Sequence, residues 1–264
     1  MRGLAAGGLT AAVAYRAVAA AMSSRPPAGL RTNHRGREVS LAAGPAVVAG
    51  TLAGTAAACP SGGARQLRAS LIAVLTAAAA GGYDDLAGTS HARGLRGHLG
   101  ALLDGEVTTG SAKIVGIGVG ALSAARALGG SGGDVLLATG LIAGTANLVN
   151  LLDLRPGRAG KATLLAAGLV LTRARGWPAA GVAGATAAML PADLGERVML
   201  GDTGANALGA ALGTAIAAAA DRPTRTVVFA AVVALTELSE RMSFSAGIEA
   251  IPALRWLDSL GRLA

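Results

Sequence analysis

A succession of apolar segments, each approaching the length of a bilayer crossing and separated by short loops that hold most of the charge, constrains this chain more than any other feature. About 20 residues of helix cross a hydrocarbon core, and the backbone of such a segment has to satisfy its own hydrogen bonds. Nine segments qualify: Leu4 to Met22, Val39 to Cys59, Leu67 to Gly82, Ser111 to Leu128, Asp134 to Leu152, Lys161 to Thr172, Trp177 to Leu190, Thr203 to Ala220 and Thr224 to Leu238. The sixth and seventh are short, as broken or buried helices are, or as spans met by local thinning of the bilayer. The expected fold is therefore all-α, a polytopic transmembrane bundle of about nine spans forming a single integral membrane domain over residues 1–264. The first segment reads as a span and not as a cleaved signal, because further spans follow it with no clear small-residue cleavage site between.

Composition agrees with a cell-membrane location. The chain is 52% hydrophobic and 14% charged, with a mean hydropathy of +0.53, whereas soluble domains carry about 25% charged residues. Ala, Gly, Leu and Val supply the apolar content and aromatic residues only 2%, so segment edges are soft. A net charge of +8 invites a nucleic-acid reading. The cations, however, sit in short clusters between apolar runs, where lipid headgroups are the better partner, so no nucleic acid is expected. The lone Cys59 excludes an intramolecular disulfide and any cysteine-based metal cluster.

Alternating the spans across a membrane groups residues 23–38, 83–110, 153–160, 191–202 and 239–264 on one side. That side holds the larger share of Lys and Arg, which makes it cytoplasmic by the positive-inside tendency. It also collects Asp84, Asp85, Asp104, Glu106, Asp153, Asp193, Glu196 and Asp202, leaving Asp134 and Asp221 as the clear exceptions.

Three of these acid sites have informative surroundings. Gly81-Gly82-Tyr83-Asp84-Asp85 puts adjacent carboxylates at a membrane boundary. Such a pair persists where a cation or a proton-transfer role compensates their repulsion, or where both are simply solvated. Asn147-Leu148-Val149-Asn150-Leu151-Leu152-Asp153 spaces two amides and a carboxylate by three residues, near one helical face. The alternative use of such amides is hydrogen bonding between helices. The following Arg155, Arg158 and Lys161, on a Pro-Gly turn, suit either a diphosphate or anionic headgroups. Gly201-Asp202-Thr203-Gly204-Ala205-Asn206 opens the eighth span, where Asp202 could hold a cation near a helix N-terminus or, like Thr203, cap that helix.

The ordered set resembles the polyprenyl-phosphate N-acetylhexosamine-1-phosphate transferase family, which includes the phospho-N-acetylmuramoyl-pentapeptide transferase of peptidoglycan synthesis. That family carries a paired-aspartate loop, an Asn-x-x-Asn-x-x-Asp segment and a Gly-Asp-x-Gly segment in this order on the cytoplasmic face. The likeness runs from about Arg25 to Leu212. It implies transfer of a sugar-1-phosphate from a UDP-sugar to a polyprenyl phosphate with release of UMP, on the cytoplasmic face of the membrane. On that resemblance Asp202 is the Mg²⁺ ligand, and Asp84 or Asp85 deprotonates the lipid phosphate or attacks the donor. Asn147, Asn150 and Asp153 orient the donor, Arg155 and Arg158 lie near its diphosphate, and a homodimer is allowed.

The chain also departs from the family. Gly88 replaces a basic residue that commonly follows the aspartate pair, and Pro156 stands where a further aspartate is expected. Residues 239–264 contain no histidine where the family has a cluster, and offer Glu240, Arg241 and Glu249 instead. His34, His91 and His98 are isolated in loops and take no role beyond a phosphate contact from His91 or His98. Two other readings stay open at this point, an inactive lipid-phosphate-binding relative and a small transporter.

Overall fold

Each of the nine apolar segments falls on a helix. The computed structural model describes residues 1–23, 29–88 and 108–263, with isolated positions at 97, 100 and 104. Arg25, His91, Arg93, Arg96, His98 and Glu106 lie outside the described residues. In chain order the elements are α1 (Arg2–Ser23), β1 (Leu30–Thr32), β2 (Glu38–Ser40), α2 (Ala43–Ala58), α3 (Ala64–Ala87), α4 (Thr109–Leu128) and α5 (Gly132–Leu152). There follow α6 (Arg158–Leu171), α7 (Ala179–Leu194), α8 (Gly201–Ala219), α9 (Arg222–Arg241), α10 (Phe244–Ala250) and α11 (Pro252–Ser259). The protein is mostly helical, and among the described residues two helices, α4 and α5, are both long and apolar enough to cross a membrane.

Local chemistry sets several boundaries. Thr108 and Ser111 form a capping box at the start of α4, as Ser131 and Asp134 do for α5. Asp221 caps α9 by accepting from Thr224 N–H at 3.0 Å, ahead of Pro223 in the first turn. The two acids that broke the sidedness pattern are thus helix caps. Some boundaries differ from expectation. The second apolar segment becomes helical only at Ala43, because Glu38–Ser40 pairs antiparallel with Leu30–Thr32. Residues 239–264 are not a plain loop, since they hold the end of α9 and the short α10 and α11.

The core is built from small residues, which lets backbones touch. A Cβ on Gly54 of α2 would stand 2.6 Å from the Gly3 carbonyl of α1 and 2.7 Å from Cα of Gly181 in α7. Close backbone contact of this kind gains van der Waals energy where lipid removes the hydrophobic drive between helices. α8 is buried along most of its length and packs against α3, α5 and α2. Large apolar side chains point outward instead, among them Leu75, Val119, Leu136 and Leu169.

The β1–β2 hairpin is fixed to the segment before α8. Ser40 N–H donates to the Arg197 carbonyl at 3.3 Å, and Met199 N–H donates to the Ser40 carbonyl at 2.9 Å. At the other end of the chain, α11 is held on the 155–161 turn by Asp258, whose carboxylate takes a two-pronged bond from Arg158 at 2.9 Å for each nitrogen. Lys161 donates to the Leu257 and Leu260 carbonyls, closing the C-terminal end of α11.

Candidate functional site

The site is organised by the N-terminus of α8. Gly201 takes a left-handed backbone, φ 61°, that any side chain would strain. In this turn its N–H donates to Asp153 Oδ2 at 3.0 Å. The next two N–H groups, of Asp202 and Thr203, donate to Asp85 Oδ1 and Oδ2 at 3.0 and 2.9 Å, and the Thr203 hydroxyl donates to Asp85 Oδ2 at 2.6 Å. Two acids from other helices therefore satisfy the first free donors of α8. Asp85 reaches them because α3 and α8 touch at Gly81, where a Cβ would collide with the Asp202 carbonyl.

This arrangement separates the paired aspartates. Both sit on the last turn of α3, beyond the segment end expected at Gly82. Both oxygens of Asp85 are committed to α8, and Asp84 turns the other way, toward Lys113 on α4. The Lys113 ammonium donates to Asp84 Oδ2 at 2.5 Å and also to Asp202 Oδ2. Asp202 makes no helix cap. Its carboxylate belongs to the Lys113 pair, while its carbonyl accepts from Asn206 Nδ2 at 2.8 Å.

Two clefts flank this turn. The first, of about 250 Å³, is lined mainly by apolar side chains of α4, α5 and α9, with Lys113, Asn147, Asn206 and Glu237 among its polar groups. The second, of about 270 Å³, lies under the hairpin and is lined by His34, Asp153, Arg155 and Asp193 among others. Asn147 and Asp153 therefore face different clefts. A spacing of three residues falls about 60° short of a full turn at each step, so two steps carry Asp153 about 120° around from Asn147. Asn150, between them, is half-buried and lines neither cleft.

Arg155 lines the second cleft and Arg158 does not. It is 5% exposed and spent on Asp258, with a further bond to Ser245 at 3.1 Å. A diphosphate-gripping role for Arg158 is replaced by a structural one.

Asp153 and Asp193 in the second cleft have no cation at bonding distance among the described residues. Burial, reinforced by the nearby carboxylate of Asp193, pushes Asp153 well above the ordinary carboxylate range. Burial likewise pushes Asp193 up to about 6, although its Oδ2 accepts from Gly157 N–H at 3.0 Å. Glu196, buried in the same wall, is held differently. Asn33 donates to it at 2.8 Å and Arg35 pairs with it at 3.2 Å, with Glu196 itself at φ 51°.

Lys113, Asp193 and Asn206 were not foreseen as site residues. Lys113 stands near the start of an apolar segment, as one more basic residue at a span end. Asp193 stands in none of the three motifs, and Asn206 closes the third without belonging to its Gly-Asp-x-Gly pattern.

Among the described residues no group of three or more His, Cys, Asp or Glu side chains is placed to hold a metal. Asp84 and Asp202 nevertheless converge on a single point, the Lys113 nitrogen. Two carboxylates completed by water and phosphate oxygens are a donor set that Mg²⁺ accepts. No protein-family model matches the chain, and no curated protein matches it either.

Proposed function

We propose that this chain is a multi-pass membrane transferase of about nine spans that moves a sugar-1-phosphate from a UDP-sugar to a polyprenyl phosphate, at a site on the cytoplasmic face. The observation that carries this reading is the meeting of three distant motifs at one helix end. Asp84 and Asp85, then Asp153, then Gly201 and Asp202 come from separate segments and interlock around α8. An apolar cleft beside Lys113 suits a lipid phosphate, and a polar cleft on the other side suits a water-soluble donor.

In this reading an oxygen of the lipid phosphate bonds to the sugar-bearing phosphorus of the donor, the bond from that phosphorus to the UMP oxygen breaks, and UMP leaves. Asp84 carries the chemistry of the aspartate pair, as the base toward the lipid phosphate or as the attacking group, because Asp85 is committed to α8. Lys113 is a positioning residue that holds Asp84 and Asp202 together and presents positive charge to a phosphate entering from the apolar cleft. Asp202 with Asp84 would hold Mg²⁺. When bound, the ion neutralises charge that otherwise keeps two phosphates apart.

A second reading has its own support. The Lys113 ammonium already pairs with both Asp84 and Asp202, as in a relative that binds lipid phosphate without turnover. The test is to incubate the purified protein with Mg²⁺, a polyprenyl phosphate and a panel of UDP-sugars. Mg²⁺-dependent UMP release is expected. Binding of the lipid with no UMP from any donor would favour the inactive relative.

A further inference from the structure

The cleft beneath the hairpin has a composition that the transfer reading alone does not require. Two of the three carboxylates in its wall each use one oxygen on a backbone N–H: Asp153 on Gly201 and Asp193 on Gly157. Among the described residues each makes that one hydrogen bond and no ion pair, and Arg262 and Lys161 act on Asp193 only from beyond bonding distance. A partly covered carboxylate oxygen without a cation calls for a neutral hydrogen-bond donor. Arg155 and the exposed His34 lie at the same cleft and bring donors for an anion.

A ligand matching both ends carries hydroxyl groups on one side and phosphate on the other. The volume, about 270 Å³, is at the small end of ligand pockets, which span about 300–1,000 Å³, so it has room for one ring and not for a whole nucleotide sugar.

We infer that the hairpin cleft reads the hexose of the donor, with Asp193 as the specificity-determining residue that accepts from a sugar hydroxyl. Asp193 comes from the end of α7, outside all three motifs, and Asp153 links this cleft to the α8 turn where the phosphates meet. The inference rests on the transfer reading for the nature of the donor. Asp193 is set apart from Glu196 in the same wall, whose oxygens are taken by Asn33 and Arg35.

The experiment is equilibrium binding of UDP, UDP-glucose, UDP-galactose and UDP-N-acetylglucosamine to the full-length protein in lipid nanodiscs. At least one sugar should bind more tightly than UDP. Asp193→Asn keeps the shape and one acceptor for Gly157 but turns a donor into the cleft, and it should remove that advantage, at least about 10-fold, with UDP affinity unchanged. Leu154→Trp, at an exposed position of the same cleft, should narrow the advantage without burdening the core.

A parent with no sugar-dependent gain over UDP overturns the inference, as does an Asp193→Asn protein with the parental ranking. Sugar-dependent binding without UMP release onto polyprenyl phosphate would leave the cleft standing and remove the transfer reading. UMP release with an unaltered ranking in Asp193→Asn would do the reverse.

Discussion

Lys113 bridges two carboxylates from helices far apart in sequence, and its removal has a consequence specific to charge. An ammonium or a carboxylate left unpaired in a partly buried site costs several kcal/mol. Lys113→Met would leave Asp84 and Asp202 facing each other with nothing between them, so the melting temperature in metal-free buffer should drop by several degrees. If the two acids can hold Mg²⁺, millimolar Mg²⁺ should recover most of the loss in the variant and shift the parent less. A variant that Mg²⁺ does not protect would remove the metal assignment. Asp193 gives the second prediction at this scale, and its sign follows from the direction of its shift. Its carboxyl titrates near 6 in the fold against an ordinary 3.8, so between about pH 4 and 6 the folded chain binds the proton more tightly than the unfolded one. Its contribution to stability therefore rises as pH falls through that window, and above it the charged form costs on the order of 2–3 kcal/mol. Asp193→Asn should raise the melting temperature at pH 7.5 and flatten its dependence down to pH 5. Parallel pH curves for parent and variant would contradict this. Asp84, Asp85, Asp153 and Asp202 were legible in the sequence because each stands in a motif of polar residues at an apolar boundary. Lys113 was legible only as one more basic residue near a span end, since its partners lie 29 and 89 positions away.

At the scale of elements, the approach of α3 to α8 sets the site geometry. Gly81 has no room for a side chain against the Asp202 carbonyl, and the next turn of α3 delivers Asp85 to the α8 donors. Gly81→Ala should push the two helices apart, cost about 1–3 kcal/mol from overpacking, and also disrupt the Asp85 and Lys113 contacts. Turnover should fall by much more than stability does, whereas Gly118→Ala, on α4 where an added Cβ meets open space, should behave as the parent in both. Equal loss of activity in the two variants would mean that the α3–α8 contact has no special bearing on the site. The positions of the helices were readable from the apolar runs, and so was the crowding of acids at one end. The Asn147, Asn150, Asp153 series was misread because three-residue spacing stays on one face only over a single step. The hairpin was not readable either. Leu30–Thr32 and Glu38–Ser40 are too short for an alternation pattern, and Asn33 forms their turn by accepting from the Arg35 and Arg37 N–H groups.

The whole molecule inverts the usual distribution of side-chain size. Ala and Gly fill the contacts between helices, while leucines and valines of α3, α4, α5 and α6 face outward, which a bilayer would solvate and water would not. Polar and acidic groups gather at one end of this apolar body, around the α8 N-terminus, the hairpin and α11. The acids at the opposite helix ends, Asp134 and Asp221, are absorbed as caps. The proposed sidedness, which rests on the positive-inside tendency, puts the clustered end in the cytoplasm. Cys59 gives the means of checking this, as the only cysteine of the sequence, at the far end of α2 from the site. In a Cys59→Ala background, Leu154→Cys sits at an exposed position of the site end, and Asp104→Cys reports an exposed position in the sequence between α3 and α4. An impermeant thiol reagent applied to intact cells should label neither, and both should react once the cells are opened. Ser61→Cys, at an exposed position of the turn after α2, should show the opposite pattern. Labelling of Leu154→Cys in intact cells would turn the acidic site to the outside, away from any cytoplasmic nucleotide sugar, and the transfer reading would fall with it.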